Sequence, residues 1–542
     1  MTYNVVQKIK NNYYLYSVDA QWDPVKRCSR QKRTYIGPCD KDGNLKPPRK
    51  GRGASAPEAT VVKTITEDDR IPFRSYCFGT YDVMHRVATD ARIVESLREA
   101  FDEDEADTVL VMAIMLAADP CSLRTMEDAV EATYLKRLIG TKVPLQSQRL
   151  SEVLMDLGID EDGRCLYAKS MLNGTQTVIF DTTVLLTESK GVDMAEPGRK
   201  TKKTGLPQVN MGFVHSLDQG IPCHMKLFPG SINDVTTIMN LAEEMPLLCS
   251  SATLMVMDRG FYSERNIRKL YSKDLGFLMP IPSGKKLFKK AISASKKDLE
   301  NPLNTFRFRD RTESYSDITM EMPFEGISDS KGDPVINIRV LVFLNFDREK
   351  DELDTLYKDL DVIESRVKDD MDYDDDNIAS VFYGKTHRMS LFTLENAEGR
   401  LVLKRNRNAI TFAARNCGKL VLLTSSKDPP RKLLETYTDR NWIEVDYGVL
   451  KSQVEGGLDY VRSDESARGL MFVQMVATAI RMHLSRMMRD TELKDMGIPL
   501  LIRRLNTLHV SEDASGSRLS EVTKKHRTIY EQLGLGEPKL LT

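Results

Sequence analysis

The sequence predicts an α/β protein: a mixed-sheet core interrupted by a large β-rich insertion, with a helical region before it and another at the end of the chain. Three observations carry this. Apolar runs of strand length alternate with segments of helical period between residues 175 and 282. That rhythm breaks over 283–417, where β-rich stretches flank an acidic tract. A strand-like run then returns at 420–424 and leads into helical periodicity.

Taken in order, residues 1–60 read as a basic, β-rich arm and linker. Short strands at 13–16 and 33–36 flank a polar, basic turn, and 37–60 is rich in Gly, Pro, Lys and Arg. Residues 61–170 read as a helical domain, because Val94, Leu97 and Phe101 and the run 109–118 repeat at three- and four-residue steps. Residues 171–282 form the first part of the core, with strands at 177–180, 209–214, 223–228, 252–257 and 275–281 and helices at 233–245 and 264–270. The insertion, 283–417, shows β-rich stretches at 305–309, 336–346 and 401–404. Residues 418–455 complete the core with a strand, the Pro429-Pro430 punctuation and one helix from about 431 to 455. Residues 456–542 are helical, and the amphipathic stretch 467–488 is expected in the core rather than at a dimer face.

Composition narrows the function. Of 542 residues, 41% are apolar and 29% charged, which excludes a fibre, a disordered chain and a small disulfide scaffold. The longest apolar runs, 109–118 and 469–480, fall short of the ~20 residues a membrane span needs. The net charge of −1 names no partner, but its distribution is uneven. Residues 1–53 hold 12 Lys/Arg and 4 Asp, which suits a nucleic-acid contact, while 347–376 hold 14 Asp/Glu and 5 Lys/Arg and read as a solvated surface. The eight cysteines make no C-x-x-C pair, so a structural zinc site is not expected and reduced thiols fit a cytoplasmic protein. Residues 1–10 have no apolar signal-peptide core.

Two strands end in an aspartate: Asp181 after Val178-Ile179-Phe180, and Asp258 after Met255-Val256-Met257. Carboxylates at strand ends face the crevice where α/β sheets bind ligands, and a pair of them suits a hard cation. Aspartate also simply punctuates strand ends. Downstream, Tyr437, Arg440, Glu444 and Lys451 stand at i, i+3, i+7 and i+14. At about 100° per residue they share one helical stripe about 60° wide, whereas Asp439 and Asp446 face away. A phenol, a guanidinium, a carboxylate and an ammonium on one face could serve a phosphodiester, the carboxylate taking metal and the cations phosphate oxygens. The same spacing also makes an ordinary Arg440–Glu444 surface ion pair. Basic segments that could hold DNA include Lys200, Lys202 and Lys203, Lys285 and Lys286, and the arm residues Lys26, Arg27, Arg30, Lys32 and Arg33. No histidine is assigned to a site.

The tract YTDRNWIEVDYGVLK resembles the Tyr-Arg-Glu-Lys signature of DDE transposases of bacterial and archaeal insertion sequences, in the superfamily named insertion sequence four. The contexts VIFDTT, FPGSIND, VMDRGFYS and GKLVLLTS are similar as well, so the likeness covers about 175–282 and 418–455. It implies an RNase H-like core, with Asp181, Asp258 and Glu444 as a triad holding two Mg²⁺ ions, for which Mn²⁺ could substitute. Tyr437, Arg440 and Lys451 would hold transposon-end DNA. The activity implied is cleavage at the terminal inverted repeats of double-stranded DNA, then strand transfer of the 3′-OH into target DNA. A homodimer on DNA and a cytoplasmic, nucleoid-associated location follow from that activity. The alternative is a DNA-binding or nuclease relative of the same fold that no longer transposes. Some relatives form a DNA hairpin using an insertion tryptophan; here the two tryptophans are Trp22 and Trp442, and neither lies in 283–417.

Overall fold

The computed structural model describes residues 2–9, 12–23, 28–46, 74–198, 205–249, 253–323, 335–454, 457–458 and 461–540. The chain divides into two compact units, Met1–Ile71 and Pro72–Thr542.

The first unit is a three-stranded antiparallel meander of β1 (Thr2–Ile9), β2 (Asn12–Asp23) and β3 (Cys28–Cys39). The strands are longer than their apolar runs suggest, because pairing continues through polar residues as far as Asp23↔Cys28. Leu15, Val18 and Cys39 are buried, and Tyr35 packs against Tyr14 and Tyr16.

The strands of the second unit are β4 (Arg74–Cys77), β5 (Thr177–Leu186), β6 (Gln208–Ser216), β7 (Ile221–Pro229), β8 (Leu254–Met257), β9 (Gly276–Pro280), β10 (Thr305–Phe308), β11 (Arg311–Pro323), β12 (Val335–Asn345), β13 (Phe392–Ala397), β14 (Arg400–Arg405), β15 (Lys419–Thr424), β16 (His509–Asp513) and β17 (Gly516–Leu519). The helices that matter below are α1 (Asp234–Leu248), α2 (Glu264–Ser272), α3 (Phe346–Ser365), α4 (Pro430–Asp439), α5 (Trp442–Ser452) and α6 (Asp464–Arg489).

A nine-stranded sheet dominates, in the order β10-β11-β12-β15-β9-β8-β5-β6-β7. Within it, β5, β6 and β7 form an antiparallel meander, and β8 and β9 run parallel to β5 on the other side. That five-stranded pattern is the RNase H-like arrangement. All nine residues of β6 and all four of β8 are buried, as expected of strands covered on both faces. The insertion strands do not stand apart as a separate body. They continue the same sheet, because β15 pairs antiparallel with β9 and brings β12, β11 and β10 with it. The rest of the insertion has its own small core, in which Leu356, Leu360 and Ile363 of α3 meet Val381, Phe382, Phe392 and Leu401. The acidic α3 is mostly solvated, but its Asp359 is buried against Lys385 at 2.5 Å and Arg388 at 3.0 Å.

The 26-residue α6 lies in the main core, with Met471, Val473, Met475, Val476, Ala477, Ala479 and Ile480 fully buried. The helix Ser147–Ile159 crosses it closely, and a side chain at Gly469 would collide with the Leu154 backbone. No described helix is long and apolar enough to cross a membrane.

Candidate active site

The parallel pairing of β5 with β8 sets Phe180 opposite Met257, so the next residues, Asp181 and Asp258, lie side by side at the same level. Only Asp258 follows a strand end as expected, whereas Asp181 lies within β5, whose pairing with β6 carries the strand past it. Each follows an apolar run, Val178-Ile179-Phe180 and Leu254–Met257, that is buried throughout. Beyond this point β8 stops and turns into a 3₁₀ turn, Arg259–Phe261, with Asp258 at its N-cap. β5 runs on to Leu186, paired with β6. The end of β8 thus leaves both aspartates at the carboxyl edge of the parallel strands, the edge at which α/β sheets bind ligands. Both side chains are partly exposed. The Asp181 carboxylate accepts a hydrogen bond from the Thr182 N–H at 2.8 Å.

The Tyr-Arg-Glu-Lys tract crosses this edge, but not as the single helix expected over 431–455. It is two helices, α4 and α5, with a joint at Arg440-Asn441. Both joint residues keep right-handed helical dihedrals. The bonds across the joint tighten to three-residue steps: Arg440 N–H to Tyr437, Asn441 to Thr438, Ile443 to Arg440 and Glu444 to Asn441. Such tightening shortens the turn without breaking the path. No Gly or Pro marks the joint, so the sequence does not announce it.

The α4 end engages Asp258. Arg440 lies 3.2 Å from the Asp258 carboxylate, and its guanidinium sits 5.0 Å over the Tyr437 ring. Burial pushes the Tyr437 phenol up to about 12, and the nearby Asp258 carboxylate adds to the shift. The α5 end engages β5. Tyr447 donates its hydroxyl to the Asp181 carbonyl at 2.6 Å. Lys451, expected on DNA, donates to Thr183 Oγ1 at 2.6 Å and to the Val184 carbonyl at 3.1 Å. Glu444 lies in the first turn of α5, exposed, between the end tied to Asp258 and the end tied to Asp181.

Beneath α5 is a pair that the sequence reading passed over. His215 Nδ1 of β6 and Asp446 Oδ2 are 2.5 Å apart, and both side chains are wholly buried. Burial raises the Asp446 carboxyl and His215 opposes that shift. Asp446 does face away from Glu444, as the helical wheel indicates, but it faces the sheet rather than solvent. Asp439 meets Arg309 at 3.4 Å. The signal was present: Ile443, Asp446, Tyr447 and Leu450 sit at i, i+3, i+4 and i+7, a buried helical stripe with an acid in it.

Of the basic clusters, Lys285 and Lys286 are exposed at the start of the helix Lys286–Ala294, with Lys285 Nζ 5.9 Å from the Tyr262 ring. Lys200, Lys202 and Lys203 lie outside the described residues, as do Lys26 and Arg27. Arg30, Lys32 and Arg33 fall on β3. A cavity of about 430 Å³ beside Arg440 is lined by Phe308, Arg309, Arg311, Phe343, Arg348 and Tyr437, among others. The insertion therefore shares a cavity with Tyr437 and Arg440.

Residues 172–480 match the family described as the transposase DDE domain, more than half of the chain. The chain is a member of the DDE transposase family. The matched span runs from just before β5 into α6, so it takes in Asp181, Asp258, the insertion and the α4–α5 pair. Among solved structures, the chain is similar to a piggyBac transposase in a synaptic complex with hairpin DNA, determined by cryo-electron microscopy. The two are 9% identical with a TM-score of 0.33, over 75% of this chain and 70% of that one. By sequence, no curated protein matches.

Members of this family use divalent metal ions, which makes the donor set the test. Asp181, Asp258 and Glu444 offer only hard carboxylate oxygens, the chemistry that Mg²⁺ prefers. Among the described residues, no three His, Cys, Asp or Glu side chains stand close enough to hold a metal by themselves. Mg²⁺ commonly binds through one or two carboxylates completed by water and substrate phosphate, so a neighbouring pair of aspartates fits that ion without a preformed cage.

Proposed function

We propose that this chain is the transposase of an insertion sequence of the insertion sequence four superfamily, acting on the double-stranded terminal repeats of its own element. Asp181, Asp258 and Glu444 would hold two Mg²⁺ ions, completed by water and substrate phosphate, and Mn²⁺ would serve in their place. The single observation that supports this most is the α4–α5 pair laid across the two neighbouring aspartates, with Glu444 between the end tied to Asp258 and the end tied to Asp181.

The reaction is in-line displacement at phosphorus. Water frees a 3′-OH at the element end, and that 3′-OH attacks target DNA. Bound metal would activate the attacking oxygen and stabilise the leaving one. The protein supplies the rest. Arg440 is a permanent cation whose guanidinium matches phosphate oxygens in pairs. Tyr437 keeps its proton at neutral pH, because its phenol lies near 12, and so remains a donor. Lys451, anchored on Thr183 and Val184, holds positive charge along β5. Exposed Lys285 and Lys286 add attraction for the DNA backbone that carries no sequence information. Two ends must be cut together, so the active species is a homodimer on DNA, working in the cytoplasm at the nucleoid.

The test uses a plasmid carrying the DNA that flanks the reading frame. In Mg²⁺ the protein should excise that segment. Asp181→Ala and Asp258→Ala should bind the ends normally and leave them uncut. Excision by either variant at the unmodified rate would remove the assignment.

A further inference from the structure

Helix α5 turns two consecutive side chains into the sheet, Asp446 and Tyr447, and both are buried. The Tyr447 ring stacks on Phe213 of β6, with centroids 5.1 Å apart and planes 21° from parallel. Its hydroxyl accepts a hydrogen bond from the Phe213 N–H at 3.1 Å and donates one to the Asp181 carbonyl at 2.6 Å. Asp181 and Phe213 are cross-strand partners, so one hydroxyl bridges the β5–β6 ladder at the residue that lies beside Asp258.

Packing alone does not call for that hydroxyl. A phenylalanine would stack and fill the space equally well, whereas a buried hydroxyl is costly unless it is bonded. Both bonds of this one go to backbone groups of Asp181 and its partner. The peptide between Asp181 and Thr182 is consequently held at both ends. Its carbonyl is taken by Tyr447, and its N–H is taken by the carboxylate of Asp181 itself, at 2.8 Å. Rotation of that peptide plane would carry the carboxylate with it.

We propose that Tyr447 is a positioning residue for the reaction: by fixing the 181–182 peptide plane, it fixes the direction in which the Asp181 carboxylate points. The inference rests on the reading of Asp181 and Asp258 as metal-holding acids. It gives Tyr447 the role of an outer partner of a metal ligand, whose loss commonly costs about 10- to 100-fold in metal affinity or activity.

The experiment titrates the full-length protein, without DNA, with Mn²⁺, following the loss of the free-ion electron paramagnetic resonance signal. The affinity for end DNA and the Mg²⁺ dependence of cleavage are measured alongside. Tyr447→Phe should weaken Mn²⁺ binding about 10-fold or more. It should raise the Mg²⁺ needed for half-maximal cleavage and leave DNA affinity unchanged. Phe213→Leu, which removes the stacked ring but neither backbone bond, should lower the melting temperature and bind Mn²⁺ as the unmodified protein does. Should Tyr447→Phe fail to fold, 4-aminophenylalanine at 447 restores a donor to the Asp181 carbonyl and should restore Mn²⁺ binding. Unchanged Mn²⁺ binding by a folded Tyr447→Phe, or lost binding with the amine, would overturn the proposal. Asp181→Asn and Asp258→Asn run in the same titration keep the two failures apart. If neither weakens Mn²⁺ binding, the metal-holding reading falls. If both do and Tyr447→Phe does not, only the positioning role falls.

Discussion

Asp181, within β5, and Asp258, just past the end of β8, are neighbours, yet they are held by opposite kinds of contact. Asp258 is held through its carboxylate by Arg440, in a partly exposed ion pair of 3.2 Å. Asp181 is held through its backbone by a buried tyrosine hydroxyl, with a wholly buried Asp446–His215 pair beside it. A partly exposed ion pair is screened by salt and can be exchanged for a phosphate oxygen. A buried hydroxyl bonded to two backbone groups cannot be exchanged without leaving donors and acceptors unmet. The difference points to a fixed side and an adjustable side of one site, the adjustable side being the one whose Arg440 lines the cavity shared with the insertion.

Despite that division, the two carboxylates should count equally in the chemistry. Asp181→Ala and Asp258→Ala should each lower the end-cleavage rate by about 10³-fold or more, the size of several kcal/mol of transition-state stabilisation. A large inequality in a single-turnover cleavage assay would break the symmetry of role. The fixed side should announce itself in stability. His215→Ala leaves Asp446 buried without its partner and should cost about 3–5 kcal/mol in urea denaturation. The adjustable side should announce itself in DNA binding and rate. Arg440→Ala should slow cleavage by about 10- to 100-fold and barely move the urea midpoint, because a partly exposed pair contributes about 1 kcal/mol or less. Arg440→Lys should recover little, since a lysine lacks the paired donors. The smallest effect belongs to the exposed cluster: Lys285→Ala or Lys286→Ala should lower the slope of log affinity against log salt by about 1 each, alike for end and unrelated DNA.

How much of this could be read from the sequence differs between the same two sides. The core strands were legible because each is a short apolar run: 209–214 and 223–228 became Gln208–Ser216 and Ile221–Pro229. Both aspartates were legible because each ends such a run. The joint at Arg440-Asn441 was not, because its dihedrals remain helical and only the hydrogen-bond partners change. The continuation of the sheet into the insertion was also hidden. It depends on β12 meeting β15, which lies more than 70 residues further on and across a separate small core. Hydrophobic period reports burial but not which distant strand supplies the partner. Tyr447 was missed for a simpler reason. It reads as one more member of an apolar stripe, and nothing local shows that its hydroxyl reaches the backbone of Asp181.

The most direct test of the central claim, that Glu444 completes a three-acid site with Asp181 and Asp258, is strand transfer from pre-cut ends. Supplying DNA that already carries the 3′-OH removes the cleavage step and leaves only the joining that all three acids must support. Glu444→Gln should bind these ends with unchanged affinity and join them to target DNA at less than about 10⁻³ of the normal rate in Mg²⁺. Joining at the normal rate would contradict the account, because a site that works without Glu444 is not the one described.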